Sequence, residues 1–269
     1  MSKATSYPVV LLSMVFAIIS LLGSSPANGA ADETETDKAR ADDRNAESSE
    51  SNSAAAKTPS ADAAKDSQNW KSLFDGKTLE GWKVTDFSGH GAVKVEDGAI
   101  RMDMGNPMSG ITWTGEPPRE NYELSLEGMR VRESDFFCTT TFPVGKSPCS
   151  LVVGGWGGSV VGLSSVDGYD ASENPTTKTI KFEEKKWYRV RIRVTEKAVQ
   201  AWIDDREVVH QSRPGHRFSI RIEVSRSKPL GIATWNTVGA VRNIRVRDLT
   251  PDEIADGKAD AKDEEDEDN

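Results

Sequence analysis

The chain has 269 residues, of which 36% are hydrophobic and 29% charged, with a net charge of −9 and two cysteines. That length suits one folded domain with flanking segments, and two cysteines exclude a small scaffold held together by disulfides. The charge is uneven: residues 69–250 carry 26 Lys and Arg against 23 Asp and Glu, so the part able to fold is +3 and the acidity belongs to its flanks.

In chain order, Lys3 precedes a 14-residue apolar run from Val9 to Leu22 and then small residues to Ala31, the layout of a secretory signal peptide. The run is short of the roughly 20 residues a spanning helix needs. Residues 1–30 are therefore expected to be cleaved, leaving a mature protein without a membrane span in the periplasm or outside the cell; retention as an anchor stays open. Residues 31–68 are dominated by Ala, Ser, Thr, Asp, Glu and Lys, have no aromatic residue, and read as a disordered acidic linker. Residues 251–269, with ten acidic side chains against Lys258 and Lys262, read as a disordered acidic tail.

Between these flanks, short runs rich in Val, Ile and aromatics recur between Gly, Pro, Asp and Asn, the rhythm of an all-β sandwich or barrel. Strands are expected at residues 93–96, 99–103, 110–113, 122–131, 136–142, 150–154 and 160–164. Others follow at 178–182, 187–195, 198–204, 206–210, 218–225, 230–233 and 241–249. One hairpin can be argued to its register. Tyr188, Val190, Ile192 and Val194 share a face that Val199, Ala201 and Ile203 continue after a turn at Glu196 and Lys197. Arg193 then faces Gln200, Arg191 faces Trp202, and Arg189 faces Asp204. This outer face is either a solvated lattice of long side chains or a sugar-stacking platform built on Arg191 and Trp202.

Cys138 and Cys149 flank a turn-like segment in a chain bound for an oxidising compartment, and a structural disulfide between them is expected. The arginines of the second half alternate along strands rather than clustering on a helix, which argues against nucleic acid as partner. Candidate chemistry gathers in one stretch. Glycines around Trp156 allow close approach of a backbone or ligand, and the following loop holds Asp167, Tyr169, Asp170 and Glu173. Such a loop can turn, bind sugar or hold a divalent cation through oxygen, though no ligand spacing marks a metal site. His90, in Ser-Gly-His-Gly, is the most plausible histidine base, and Trp235 with Asn236 follows a strand end where ligand contact is open.

The stretch Trp70-Lys-Ser-Leu-Phe-Asp-Gly-Lys-Thr-Leu-Glu-Gly-Trp82, with Val93-Lys-Val-Glu-Asp-Gly-Ala-Ile100, resembles the opening of the 3-keto-disaccharide hydrolase domain family. The strands from Trp187, Val199 and Val241 resemble that family's last third. The resemblance implies a two-sheet antiparallel jelly roll of the concanavalin A type in an exported protein acting on an oligosaccharide or keto-glycoside. Residues 136–142 and 231–237 depart from the family's pattern, so catalytic residues do not transfer with the fold. In a 3-keto-glycoside the ketone acidifies the C2 proton, so such a site needs a base near C2 and a donor or metal at the C3 oxygen. His90, Asp167, Asp170 and Glu173 are the candidates for that chemistry, and Trp156, Tyr169, Arg191, Trp202, Trp235 and Asn236 for sugar contact. The alternative is a non-catalytic carbohydrate-binding or surface-attachment module.

Overall fold

The computed structural model describes residues 69–256; the expected signal segment, the linker and all of the tail beyond residue 256 lie outside them. Alternation of apolar and polar residues decides the architecture. One sheet runs, side by side, β3 (Val93–Glu96), β4 (Ala99–Met102), β15 (Val238–Asp248), β6 (Tyr122–Arg132), β11 (Trp187–Val194), β12 (Ala198–Ile203) and β13 (Arg206–Ser212), with β1 (Lys71–Ser72) also on β15. The other runs β2 (Trp82–Val84), β5 (Met108–Trp113), β14 (Gly231–Trp235), β7 (Thr139–Val144), β8 (Ser147–Gly154), β9 (Val160–Ser164) and β10 (Lys178–Thr179). Every strand pairing is antiparallel. The result is a jelly-roll sandwich, the fold class expected above.

The core fills the space between the sheets. Leu124, Leu126, Val190, Ile192, Val194, Val199 and Ala201 from the first sheet meet Ile111, Phe142, Leu151, Val153, Val161, Leu163 and Ile232 from the second, all buried. These are alternate residues along each strand, as a two-layer sandwich requires. Tyr122, fully enclosed, joins the layers by donating its hydroxyl to the Pro143 carbonyl at 2.6 Å. The argued hairpin has the expected register: Arg193 pairs with Gln200 and Arg191 with Trp202, while the Asp204 amide donates to the Arg189 carbonyl.

Three local expectations need correction. Residues 218–225 do not form a strand: the chain bridges to Val166 at Phe218 and then winds into a 3-10 turn, Ile222–Ser227, lying over the outer face of the second sheet. Val224 and Ser227, three apart, point down, whereas a strand would bury alternate residues. The strand expected from residue 136 begins at Thr139. Residues Pro251–Asp256 form a short helix, α1, at the start of the segment read as tail.

Cys138 and Cys149 are free, buried thiols. The two-residue turn between β7 and β8 pairs Phe142 with Cys149, so Cys138 stands four positions further along its own chain. At about 3.3 Å per residue that is on the order of 13 Å, well beyond disulfide reach. Cys138 instead packs against Gly128, where a Cβ would come within 2.5 Å of its sulfur. Burial pushes the Cys149 thiol up to about 12, so neither nucleophilic nor redox chemistry suits it. Thiol titration of the unfolded protein should find both cysteines reduced, and reductant should leave Tm unchanged; a bridged pair would overturn this arrangement.

Candidate active site

Most strands of the second sheet are buried on both faces, and the outer face differs from the inner in kind. Its central row reads Ser164, Ser150, Thr141, Gly231 and Thr112 across β9, β8, β7, β14 and β5. Thr141 and Ser150 share a hydroxyl hydrogen bond of 2.8 Å, as do Thr112 and Thr85. Small polar residues thus make a smooth floor. Over it passes the segment 217–227, and between that segment and the 135–136 and 156 turns a cleft of about 220 Å³ stays open. Thr139, Ser150, Val152 and Ser164 form its floor, Phe136, Trp156, Trp235 and Val224 its apolar walls, and Asp135, Arg221 and Glu223 its charged groups.

Trp156 is held out over the cleft by backbone geometry. Gly154, Trp156, Gly157 and Gly158 all have positive φ, at 79°, 49°, 82° and 108°. Trp156 itself therefore sits in the left-handed region that a side chain normally avoids, at a cost of about 1 kcal/mol or more. Three bonds fix the turn: the Gly157 amide donates to Asp135 Oδ2 at 3.1 Å, Ser134 Oγ donates to the Gly157 carbonyl at 2.9 Å, and Arg130 Nη1 donates to the Gly158 carbonyl at 3.2 Å. Arg130 is itself buried, its other terminal nitrogen bonded to the Phe182 carbonyl. A Cβ at Gly158 would lie 2.4 Å from Ser134 Oγ, so only glycine lets the turn close. Held this way, the indole remains 45% exposed. On the far wall Trp235 packs against Phe136 with ring centroids 6.0 Å apart.

The charged groups are ordered by Arg221. Its Nε and Nη2 donate to the two oxygens of Glu223, at 3.2 and 2.8 Å, and its Nη1 bonds Asp170 Oδ2. Asp170 is steadied by Ser164 and Ser165, both donating to Oδ1 at 3.3 Å. The guanidinium has five N–H donors, so one remains on each terminal nitrogen for a ligand. Its hydrogen bonds to Glu223 hold that carboxyl below the usual carboxylate range, so Glu223 is an anion at neutral pH. Asp135 is different: its oxygens accept the backbone N–H groups of Phe136, at 2.7 Å, and Gly157, and it bonds no cation among the described residues.

Of the residues singled out from sequence, Trp156 and Trp235 line the cleft and Asp170 braces it. Asp167, Tyr169 and Glu173 line a separate depression that shares no residue with the cleft, where Asp167 Oδ2 meets His216 Nδ1 at 2.7 Å. His90 is exposed, its Nδ1 near the Gly91 carbonyl at 2.9 Å, and Asn236 is an exposed turn residue; neither lines the cleft. Asp167 and Asp170 spend their oxygens on His216, Arg217, Ser164, Ser165 and Arg221, and among the described residues no three His, Cys, Asp or Glu converge as a metal cage.

Arg191 and Trp202 occupy the outer face of the first sheet, away from the cleft. Arg191 and Arg193 lie 4.7 and 5.4 Å over the Trp202 ring. Arg191, Arg193 and Arg247 converge on the buried Glu123, and Glu253 of α1 joins Arg193 and Arg247. With two guanidiniums over the half-buried ring and both paired to Glu123, the contacts of this face are those of the lattice of long side chains. Sequence reasoning missed Asp135, Arg221 and Glu223. The available signal was the failed strand at 218–225, whose Ile222 is 81% exposed.

Residues 69–247 match the 3-keto-alpha-glucoside-1,2-lyase-like domain. Among solved structures, the Crh5 transglycosylase in complex with NAG has a TM-score of 0.50 at 13% identity over 68% of this chain and 85% of that one. The carbohydrate binding module CBM66 from Bacillus subtilis has a TM-score of 0.44 at 13% identity over 62% and 95%. Domain 4 of AbnA, a GH43 extracellular arabinanase from Geobacillus stearothermophilus in complex with arabinotriose, has 0.45 at 17% over 70% and 96%. No curated protein matches the chain. Among the described residues no helix is long and apolar enough to cross a membrane.

Proposed function

Because the chain belongs to the 3-keto-alpha-glucoside-1,2-lyase-like domain family, we propose that it is an exported carbohydrate-active enzyme that cleaves 3-keto-glycosides in the cleft of the second sheet. The carrying observation is the pairing, within that one cleft, of an arginine with donors to spare and a carboxylate that bonds no cation among the described residues. Trp156 and Trp235 offer flat apolar surface to the sugar ring, and the floor hydroxyls meet its polar edges. Asp135 takes the C2 proton. Arg221 hydrogen-bonds the C3 oxygen as negative charge develops there. The resulting enolate expels the aglycone oxygen from C1, which takes up a proton, leaving a C1–C2 double bond to which water adds. Asp170 and Glu223 hold the guanidinium in line.

Direct hydrolysis of an ordinary glycoside would ask for a protonated carboxylic acid at the leaving oxygen. Glu223, held anionic by Arg221, does not suit that role. Elimination beside a ketone asks less of the protein. A 3-keto-glucoside bearing a chromogenic aglycone should release it above the background rate, and Asp135→Asn should lower that release by about 10²- to 10⁴-fold. Binding without release would assign the cleft to a non-catalytic carbohydrate-binding module instead. Loss of release on chelation would bring in a divalent cation.

A further inference from the structure

On the outer face of the first sheet, two short side chains stand among long ones. Ser72 of β1, Arg245 of β15, Ser125 of β6 and Arg191 of β11 lie side by side in register, so Arg245 has a serine on either hand. A serine reaches far less than an arginine, and the lattice opens there into a hollow of about 400 Å³ that shares no lining residue with the cleft. We propose that this hollow binds a uronate unit of an acidic polysaccharide, with Arg245 receiving the carboxylate. The site holds the protein on a polyanionic glycan, and it stands whether or not the cleft is catalytic.

The hollow is rich in donors that lack acceptors. Arg245 lies 4.4 Å over the Trp70 ring, and its guanidinium has no carboxylate or hydrogen-bond partner among the described residues. Trp70 and Arg189 also line the hollow, and their Nε1 and Nε are buried N–H groups without an acceptor there. The hydroxyl of Ser125, a residue only 2% exposed, has no partner among the described residues either. Buried donors left without acceptors are costly, so this arrangement favours a ligand that brings oxygens.

Charge points the same way. Glu127, the single acidic residue lining the hollow, is already matched: its Oε2 accepts from Arg242 Nε and its Oε1 from Asn243 Nδ2, both at 2.8 Å. Arg189 pairs with Asp205, which is 89% exposed, so solvent screens that pair. Arg245 is therefore left over for one negative charge. Glu127 also discriminates between anions. A dianionic phosphate would be repelled by it, whereas a carboxylate brings one charge and fits the guanidinium fork. A uronate supplies the remaining groups. Its ring oxygens accept from Trp70 Nε1 and Arg189 Nε, and its hydroxyls donate to the spare lone pairs of Glu127 and Asn243. The volume lies within the roughly 300 to 1,000 Å³ of small-ligand sites, enough for one pyranose.

Titration calorimetry of the full chain with trigalacturonate tests the site. The trimer should bind, and its fully methyl-esterified form should bind at least about tenfold more weakly, because only the acid offers Arg245 a charge. Raising salt should weaken binding of the acid alone. Arg245→Gln should lower affinity for the acid by about tenfold and leave that for the ester unchanged. The comparison of acid with ester uses the unaltered protein, so it decides the matter even if the variant fails to fold. No binding, equal affinity for acid and ester, or full affinity in a folded Arg245→Gln protein would each remove the site. Binding that appears only when the seven acidic residues of 260–268 are changed to amides would also refute it, since the carboxylate in the hollow would then be the chain's own.

Discussion

Replacing Arg221 by Gln is expected to lower kcat on a 3-keto-glycoside by about 10²- to 10³-fold while changing KM little. The size follows from removing a preorganised donor aimed at charge that exists only in the transition state. The split between kcat and KM follows because the ketone of the bound substrate carries little of that charge. The same substitution removes the cation that keeps the Glu223 carboxyl below its usual range, so Glu223 should titrate at higher pH in the variant. Arg221→Lys should recover only part of the rate, since an ammonium cannot span Glu223 and Asp170 as the guanidinium fork does. Steady-state kinetics on the three proteins decides it: equal kcat values would remove Arg221 from the chemistry.

Trp156→Ala is expected to weaken sugar affinity by about tenfold to a hundredfold, because burying an aromatic face is worth roughly 1.5 to 3 kcal/mol. Gly158→Ala supplies the companion test. A methyl group there meets Ser134 Oγ and Arg130 Nη1 at 2.4 and 2.8 Å, and the backbone, at φ 108°, resists any side chain. The indole is kept but its mount is forced to move. Both variants should lose affinity with circular dichroism of the sandwich preserved. Should Gly158→Ala bind as well as the unaltered protein, the rigid presentation of Trp156 is not what the cleft uses.

The glycine turn shows how function is fitted into a β framework here. Arg130 from β6, Asp135 and Ser134 from the following connection, and the glycines after β8 all serve one exposed ring. Asp135 has a double position, bracing that turn through Oδ2 while lining the cleft. Its replacement by Asn keeps an oxygen for the Gly157 amide, which is why Asn and not Ala separates the proton-accepting role from the supporting one.

Period-two patterning by itself determined an all-β sandwich or barrel, the face each residue of β11 and β12 presents, and the pairing of Arg191 with Trp202. It could do so because the first sheet has one face in the core and one in solvent. The second sheet hid its purpose, since Thr139, Thr140 and Thr141 are buried on both faces and alternation carries no contrast there. Trp156 and the carboxylate loop were legible locally, through glycine spacing and clustered charge. That Arg221 would reach Asp170 and share a cleft with Asp135, that Cys138 would fall four positions out of register with Cys149, and that the Arg191 face would be filled by Glu123, were settled only by tertiary structure. Each depends on which distant segments the sheets bring side by side, and that information lies in strand order and not in any local period.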